Sequence, residues 1–338
     1  NFAVGADNST PKGIIKPYDH GTHVAGVVGA VNNNGKFGSG VAGGNGTKRG
    51  VRLMTCQTID GESGAYIADA FHYAANNGAV ISQNSWSLRN ASSTPEYMIE
   101  AIDYFNTYAG LNADSVQVGP MHGGVTIFAA GNDNLSYGYP SMYEGNISVS
   151  ATGPSGMKAS YSSFGSWVDI SAPGGENGTG EEARGNVMST ITGNNFGAMS
   201  GTSMACPHVS GVAALIVSKF GGHGFTNQML RDRLLSSADS VKLYSVNPSK
   251  KGLMGKGMVD AYAALYEDDA TIPTAVGTLD AEVLGTAITI KWKATQTNGK
   301  STFGYYLYYS EESLAEFNSS KPSDGVISTL ILGGAYSE

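Results

Sequence analysis

The stretch Ser200-Gly201-Thr202-Ser203-Met204-Ala205-Cys206-Pro207-His208-Val209-Ser210-Gly211 decides the reading of this chain. Ser203 follows a flexible Gly-Thr turn and stands at the head of the apolar run Val209 to Val217, which reads as a buried helix. A serine hydroxyl is a weak nucleophile until a base takes its proton, and the free N–H groups of a helix N-terminus can receive an oxyanion. The address of Ser203 therefore suits acyl transfer, and it calls for a base and a further amide donor.

Both are found upstream. His20-Gly21-Thr22-His23-Val24-Ala25-Gly26 offers a histidine, and Ala129-Ala130-Gly131-Asn132 ends the strand-like Gly124 to Phe128 with an asparagine. Chain order matters, because unrelated folds assemble the same triad in different orders. Three long blocks in the order histidine, asparagine, serine resemble the subtilisin-like serine proteases, the subtilases. The resemblance implies an α/β fold, with a largely parallel sheet carrying helices on both faces. It also implies that Ser203 is the nucleophile, His20 the general base and later acid, and Asn132 the side-chain donor of an oxyanion hole completed by the Ser203 N–H. His23 falls on a packing histidine of the motif and is given no chemistry.

The family's third triad member is an aspartate on a hydrophobic strand some tens of residues before the histidine, and only 19 residues precede His20 here. Asp7 has polar residues after it, Asp19 adjoins His20 in a poor geometry for holding Nδ1, and Asp169 matches a different block. The expectation is a chain without the segment that carries the aspartate. Its loss from a triad costs about 10⁴ in turnover, or about 5.5 kcal/mol. A serine endopeptidase working through an acyl-enzyme is the leading reading, and an inactive subtilase-fold fragment or peptide-binding scaffold the alternative. A lipase-like esterase fails on order: Gly61-Glu62-Ser63-Gly64-Ala65 lacks the last glycine of a nucleophile elbow, and no ordered acid and base follow.

The same resemblance implies that Ser85-Trp86-Ser87 and the Ala130-Gly131 segment wall the primary specificity pocket. Gly138 at its base leaves room for a large apolar or aromatic substrate side chain. Trp86 fits a core role equally well. Ser63-Gly64 resembles the edge that pairs with a peptide by backbone hydrogen bonds. Val31 to Gly38 resembles a structural calcium loop with Asn33 as side-chain ligand. Hard cations want about six to eight oxygens including carboxylates, and Lys36 adds a positive charge, so a plain Gly/Asn turn is expected and no metal or cofactor.

Cys56 and Cys206 are too few for a disulfide framework, and Cys206 reads as a small buried hydrophobe. His72, His122, His208 and His223 stand singly, without zinc spacing. A net charge of −8 argues against nucleic acid as partner. No apolar run approaches the roughly 18 residues of a membrane span. Family resemblance implies a secreted or cell-surface protein with a protein or peptide substrate and a propeptide upstream.

Strands are expected at Arg52 to Gln57, Ala79 to Asn84, Gly124 to Ala129, Ile147 to Ala151 and Trp167 to Ile170. Helices are expected at Ala65 to Asn77, Glu96 to Tyr108 and Thr226 to Ala238, the last with Thr226 as N-cap. The Gly255 to Ala261 block resembles the end of the catalytic domain, placed at residues 1–269. Over 270–338 the texture changes to a small all-β region, with strands at Ala287 to Lys293 and Tyr305 to Tyr309. It resembles part of a fibronectin type III module with Trp292 as its core tryptophan, though such a sandwich needs about 100 residues. A C-terminal extension with no binding role is equally open.

Overall fold

The computed structural model describes residues 15, 17–58, 66–88, 90–176 and 185–266, and the backbone of six strands between 279 and 332. The chain divides into two compact units, Asn1–Glu267 and Asp268–Glu338.

The frame of the first unit is a four-stranded parallel sheet in the order β1 (Ile81–Asn84), β2 (Val125–Ala129), β3 (Asn146–Thr152), β4 (Ile170–Pro173). Parallel sheets are covered on both faces, so their strands read as apolar runs rather than as alternations. Every residue of β2 and β3 is buried accordingly. Successive side chains still part to opposite faces. Ile127, Ile147 and Val149 join one core, while Phe128 joins another with Phe71 and Phe105.

That second core is built by α2 (Ile67–Asn76) and α3 (Glu96–Tyr108). Helix α3 buries Met98, Ala101, Ile102 and Phe105, a three-four spacing that makes one continuous stripe. Phe105 stands edge-on to Phe71 at 6.3 Å, and Trp86 edge-on to Phe128 at 5.1 Å. The opposite face is covered by α4 (Thr202–Phe220), which packs against all four strands through residues that include Ala205, Cys206, Val209, Ala213 and Ile216. The architecture is the expected α/β one.

The 19 residues of α4 are long and apolar enough, by length and composition, to cross a membrane, contrary to the expectation that no such run exists. The helix is mostly buried inside the domain, and a helix surrounded by core must be apolar nearly all round.

Two further elements frame the site. Helix α1 (Asp19–Gly29) packs against α4 and against β5 (Val187–Ile191), which forms an antiparallel hairpin with β6 (Asn195–Met199). The hairpin approaches α1 so closely that a Cβ on Gly26 would lie 2.2 Å from Thr190 Oγ1 and 2.3 Å from Ser189 Oγ. Only glycine permits that approach. The two hydroxyls then donate to α1 carbonyls, Thr190 to Thr22 O at 3.0 Å and Ser189 to His23 O at 2.8 Å. Helices α5 (Asn227–Ser236), α6 (Ser240–Val246) and α7 (Ala261–Tyr266) complete the unit, and the Thr226 hydroxyl caps α5 by accepting from Met229 N.

Two strand expectations are corrected. Arg52 to Gln57 forms no strand: Leu53 is half exposed, and among the described residues no neighbouring strand takes up its backbone groups, without which there is no ladder. Of Trp167 to Ile170 only Ile170 is strand: Trp167 lies in a turn, Val168 and Asp169 are irregular, and β4 begins at Ile170. Asp169 accepts from Ser148 N and Oγ at 2.8 and 2.9 Å, which holds the chain at the strand's entrance.

In the second unit β7 (Leu279–Leu284) pairs antiparallel with β8 (Ala287–Trp292), β9 (Gln296–Thr297) with β10 (Lys300–Ser301), and β11 (Gly304–Tyr309) with β12 (Ile327–Leu332). The expected strands at Ala287 to Lys293 and Tyr305 to Tyr309 correspond to β8 and β11.

Candidate active site

Ser203 is the second residue of α4, and Gly201 is its N-cap. The first turn of a helix has N–H groups without intrahelical partners. One of them, Thr202 N, donates to Asn132 Oδ1 at 2.8 Å, and the Thr202 hydroxyl donates to the same oxygen at 2.8 Å. Thr202 Oγ1 in turn accepts from Gly131 N at 3.2 Å, so this fully buried threonine ties the end of β2 to the start of α4. With its oxygen engaged twice, the Asn132 amide directs its Nδ2 the other way.

Ser203 N donates to no protein acceptor among the described residues. A Cβ built on Gly201 would sit 3.5 Å from Asn132 Nδ2 and 3.5 Å from Ser203 N. Two amide nitrogens thus lie close to one point, beside a glycine whose φ of +151° disfavours a side chain.

Ser85 follows β1 and meets Ser203 reciprocally: Ser85 Oγ donates to Ser203 O at 2.7 Å, and Ser203 Oγ donates to Ser85 O at a long 3.4 Å. Among the described residues the Ser203 hydroxyl is bonded to Ser85 and not to the His20 ring. Ala130 is buried, and Gly138 faces its carbonyl so closely that a Cβ there would come within 2.4 Å. Trp86 lies against Phe128 with its Nε1 donating to Asn84 Oδ1 at 3.2 Å, while Ser87 is exposed. Ser63 and Gly64, and with them Asp7, lie outside the described residues.

His20 is the second residue of α1 and is partly buried. Burial, seconded by the nearby His23, lowers its pKa from the ordinary 6.5, so the ring is neutral at pH 7. His23 is fully buried, and its Nε2 lies 2.9 Å from Val187 O and 3.1 Å from Gly197 O. Both neighbours are acceptors, so Nε2 carries the proton and the bare Nδ1 is left buried without a partner. This ring grips both strands of the hairpin at once.

Neither described aspartate named in the sequence reading attends His20. Asp19 Oδ1 accepts from Thr192 N at 3.0 Å and from the Thr192 hydroxyl, and these bonds lower its pKa. Asp169 is held by Ser148 and, at 3.1 Å, by Arg231.

Cys206 is free and fully buried one turn below Ser203, where Gln83 Nε2 donates to its Sγ at 3.4 Å. Burial pushes its thiol up to about 11. A thiol reagent at pH 8 should therefore leave Cys206 unmodified in folded protein and modify it after denaturation. Mass mapping of a label on Cys206 under native conditions would contradict the packing described for α4.

The loop at 31–38 is held by its own asparagines. It has no carboxylate, Asn33 Nδ2 is used as a donor to Asn45 O at 3.4 Å, and Asn34 Oδ1 accepts from Lys36 N at 2.9 Å. Among the described residues no three His, Cys, Asp or Glu side chains cluster as metal ligands would.

Thr202 is the site residue that sequence reasoning passed over. It lies inside the Gly-Thr-Ser motif, yet its partners Asn132 and Gly131 are 70 and 71 residues away.

Comparison with known proteins places the chain in a family. A sequence model of the subtilase family matches residues 6–271, and the chain belongs to that family. It is 35% identical over 227 residues to the thermophilic serine proteinase of Bacillus sp. (strain AK1), covering 66% of this chain and 47% of that one. To the thermostable alkaline protease of Halalkalibacterium halodurans it is 35% identical over 246 residues, covering 72% and 56%. The chain thus spans about half the length of these two curated relatives. Among solved structures, a protease from Pseudoalteromonas arctica PAMC 21717 is 32% identical and superposes with a TM-score of 0.55, over 73% of this chain and 70% of that one.

Proposed function

We propose that this chain is the catalytic part of a subtilisin-like serine endopeptidase, cleaving protein or peptide substrates through an acyl-enzyme on Ser203. His20 takes the hydroxyl proton and returns it to the leaving amine, while Asn132 Nδ2 and Ser203 N receive the oxyanion. The closeness of those two amide nitrogens to one point beside Gly201 is the observation that carries the reading. Turning the Ser203 side chain from Ser85 O toward His20 is the rotamer change the reaction requires. The orienting carboxylate for His20 comes from outside the described residues, since Asp19 and Asp169 are engaged elsewhere.

Ser85, Trp86, Ser87, Ala130, Gly131 and Gly138 border the pocket for the residue before the scissile bond, with Ser63 and Gly64 as the peptide-pairing edge. Residues 1–269 are read as the catalytic domain and 270–338 as a β module of fibronectin type III kind. Secretion and an upstream propeptide belong to the same reading. The long bond from Ser203 Oγ to Ser85 O favours a second one, an inactive peptide-binding scaffold.

Reaction with a sulfonyl fluoride separates the two, because only an activated serine is sulfonylated at an appreciable rate. Label mapped to Ser203 by mass spectrometry is expected; no label, or label elsewhere, leaves the scaffold reading. The pH dependence follows from His20. Its base form must be neutral; burial lowers its pKa from the ordinary 6.5 and the orienting carboxylate would raise it, so labelling should be constant at high pH and decline as pH falls through the pKa of the ring. Labelling that does not decline in acid would mean that a group other than the ring described here governs the reaction.

A further inference from the structure

The Lys158 ammonium sits in a cage of oxygens. Its Nζ donates to Ala159 O and Ser162 O at 2.8 Å each, to Asn134 Oδ1 at 2.9 Å and, more weakly, to Ser160 O at 3.4 Å. An ammonium has three donors, so the fourth contact is a shared one. The three carbonyls come from one tight turn, closed by Ser162 N donating to Ala159 O at 3.0 Å. Carbonyl oxygens crowded on one point repel one another unless a positive charge sits among them. Backbone oxygens around a cation are the arrangement of an alkali-ion site, here filled by a side chain of the protein itself.

What the cage holds is the loop that carries Asn132. Asn134, with φ of +53°, gives its side-chain oxygen to Lys158 and its N–H to Tyr161 O at 2.8 Å. Ser163 N donates to Gly131 O at 2.9 Å, Leu135 N to Ser163 Oγ at 3.3 Å and Phe164 N to Leu135 O at 2.9 Å. The segment 159–164 is therefore laced to 131–135 along its length, with the ammonium at the centre of the lacing. Burial, seconded by the neighbouring Lys250, lowers the Lys158 pKa from its ordinary value, and Glu176 opposes that shift. Lys250 and Lys158 share the Phe164 ring, with nitrogens 3.7 and 5.3 Å from its centroid.

We propose that Lys158 is a positioning residue for the oxyanion-binding loop: its ammonium serves as a built-in monovalent cation that fixes Asn134, and through it the Asn132 amide two residues away. The proposal rests on the reading of Asn132 given above.

The test uses Lys158→Met, which keeps the stem and loses the charge, and Lys158→Ala, which empties the cage. Peptide-ester hydrolysis by Lys158→Met should fall about ten- to a hundredfold in kcat with KM nearly unchanged, the mark of a donor misplaced for the transition state alone. Lys158→Ala should lose as much and recover part of it in methylammonium chloride, which reinserts an N–H-bearing cation. Tetramethylammonium, with no N–H, should rescue nothing. The thermal midpoint of Lys158→Ala should likewise rise with methylammonium and not with tetramethylammonium, a readout that needs no activity. An active parent chain whose Lys158→Met variant keeps its kcat, or changes only KM, overturns the role in positioning. Absence of any methylammonium effect on Lys158→Ala overturns the cage. A parent protein that carries the triad carboxylate, yet neither hydrolyses ester nor accepts sulfonyl fluoride, overturns instead the reading of Asn132 and Ser203.

Discussion

In a complete enzyme that carries the triad aspartate, Asn132→Ala should slow acylation of Ser203 by a peptide ester about 10²- to 10³-fold, or about 2.7 to 4 kcal/mol, with KM almost unchanged. That range is the one known for loss of such a donor in subtilisin, a relative, and is carried over rather than calculated from this geometry. The direction does follow from the geometry. Thr202 N and Oγ1 occupy the Asn132 oxygen, so the Nδ2 hydrogens are left for the opening beside Gly201. The donor meets the substrate oxygen only after that oxygen leaves the carbonyl plane, and the loss therefore belongs to the transition state.

Asn132 has a second duty, since it accepts the otherwise orphaned Thr202 N–H as a helix cap would. Its truncation should also cost about 0.5 to 2 kcal/mol of stability. Asn132→Asp parts the two effects: the cap acceptor remains while the donor is lost, so stability should hold and turnover should fall at least as far. Kinetics on active-site-titrated protein, with a denaturation curve for each variant, gives both numbers. Unchanged turnover in Asn132→Ala would take this residue out of the chemistry.

Phe105→Ala should destabilise the first unit by about 3 to 5 kcal/mol. The ring is wholly buried where α3 meets β2, edge-on to Phe71 and in one cluster with Phe128. Its removal leaves a void that the neighbouring rings, Phe71 on α2 and Phe128 on β2, cannot both move to fill. The denaturation midpoint should fall without a change in its slope, because the surface exposed on unfolding is nearly the same. A loss under about 1 kcal/mol would mean that the second core is not packed as described. Trp86, which borders the proposed pocket, leans on the same cluster, so surviving protein should also show altered substrate preference.

The placements that read correctly from sequence are those set by immediate neighbours. Ser203 at the head of a helix, and Asn132 at the end of a buried strand, announce themselves by their immediate neighbours. The strands of the parallel sheet read well for a related reason: burial on both faces leaves unbroken apolar runs, as at Val125 to Ala129. Helix α1 did not, because Gly21, Gly26 and Gly29 depress its helix propensity and only packing against α4 and the hairpin makes it form. Arg52 to Gln57 was overread from its composition, since a strand depends on a partner that composition does not contain. Thr202 and Lys158 were invisible as site residues. Their roles exist only through oxygens 70 and 24 residues away, joined when β2, α4 and the 159–164 turn come together.

Helix α1 and the β5–β6 hairpin are fastened at Thr22, His23 and Asp19, with the close approach at Gly26 leaving no slack between them. They must therefore move as one lever. Its tip, the turn at Thr192 to Asn194, lies against the end of α1 that carries His20, because Thr192 bonds to the adjacent Asp19. Displacement of that turn therefore reaches the base through Asp19.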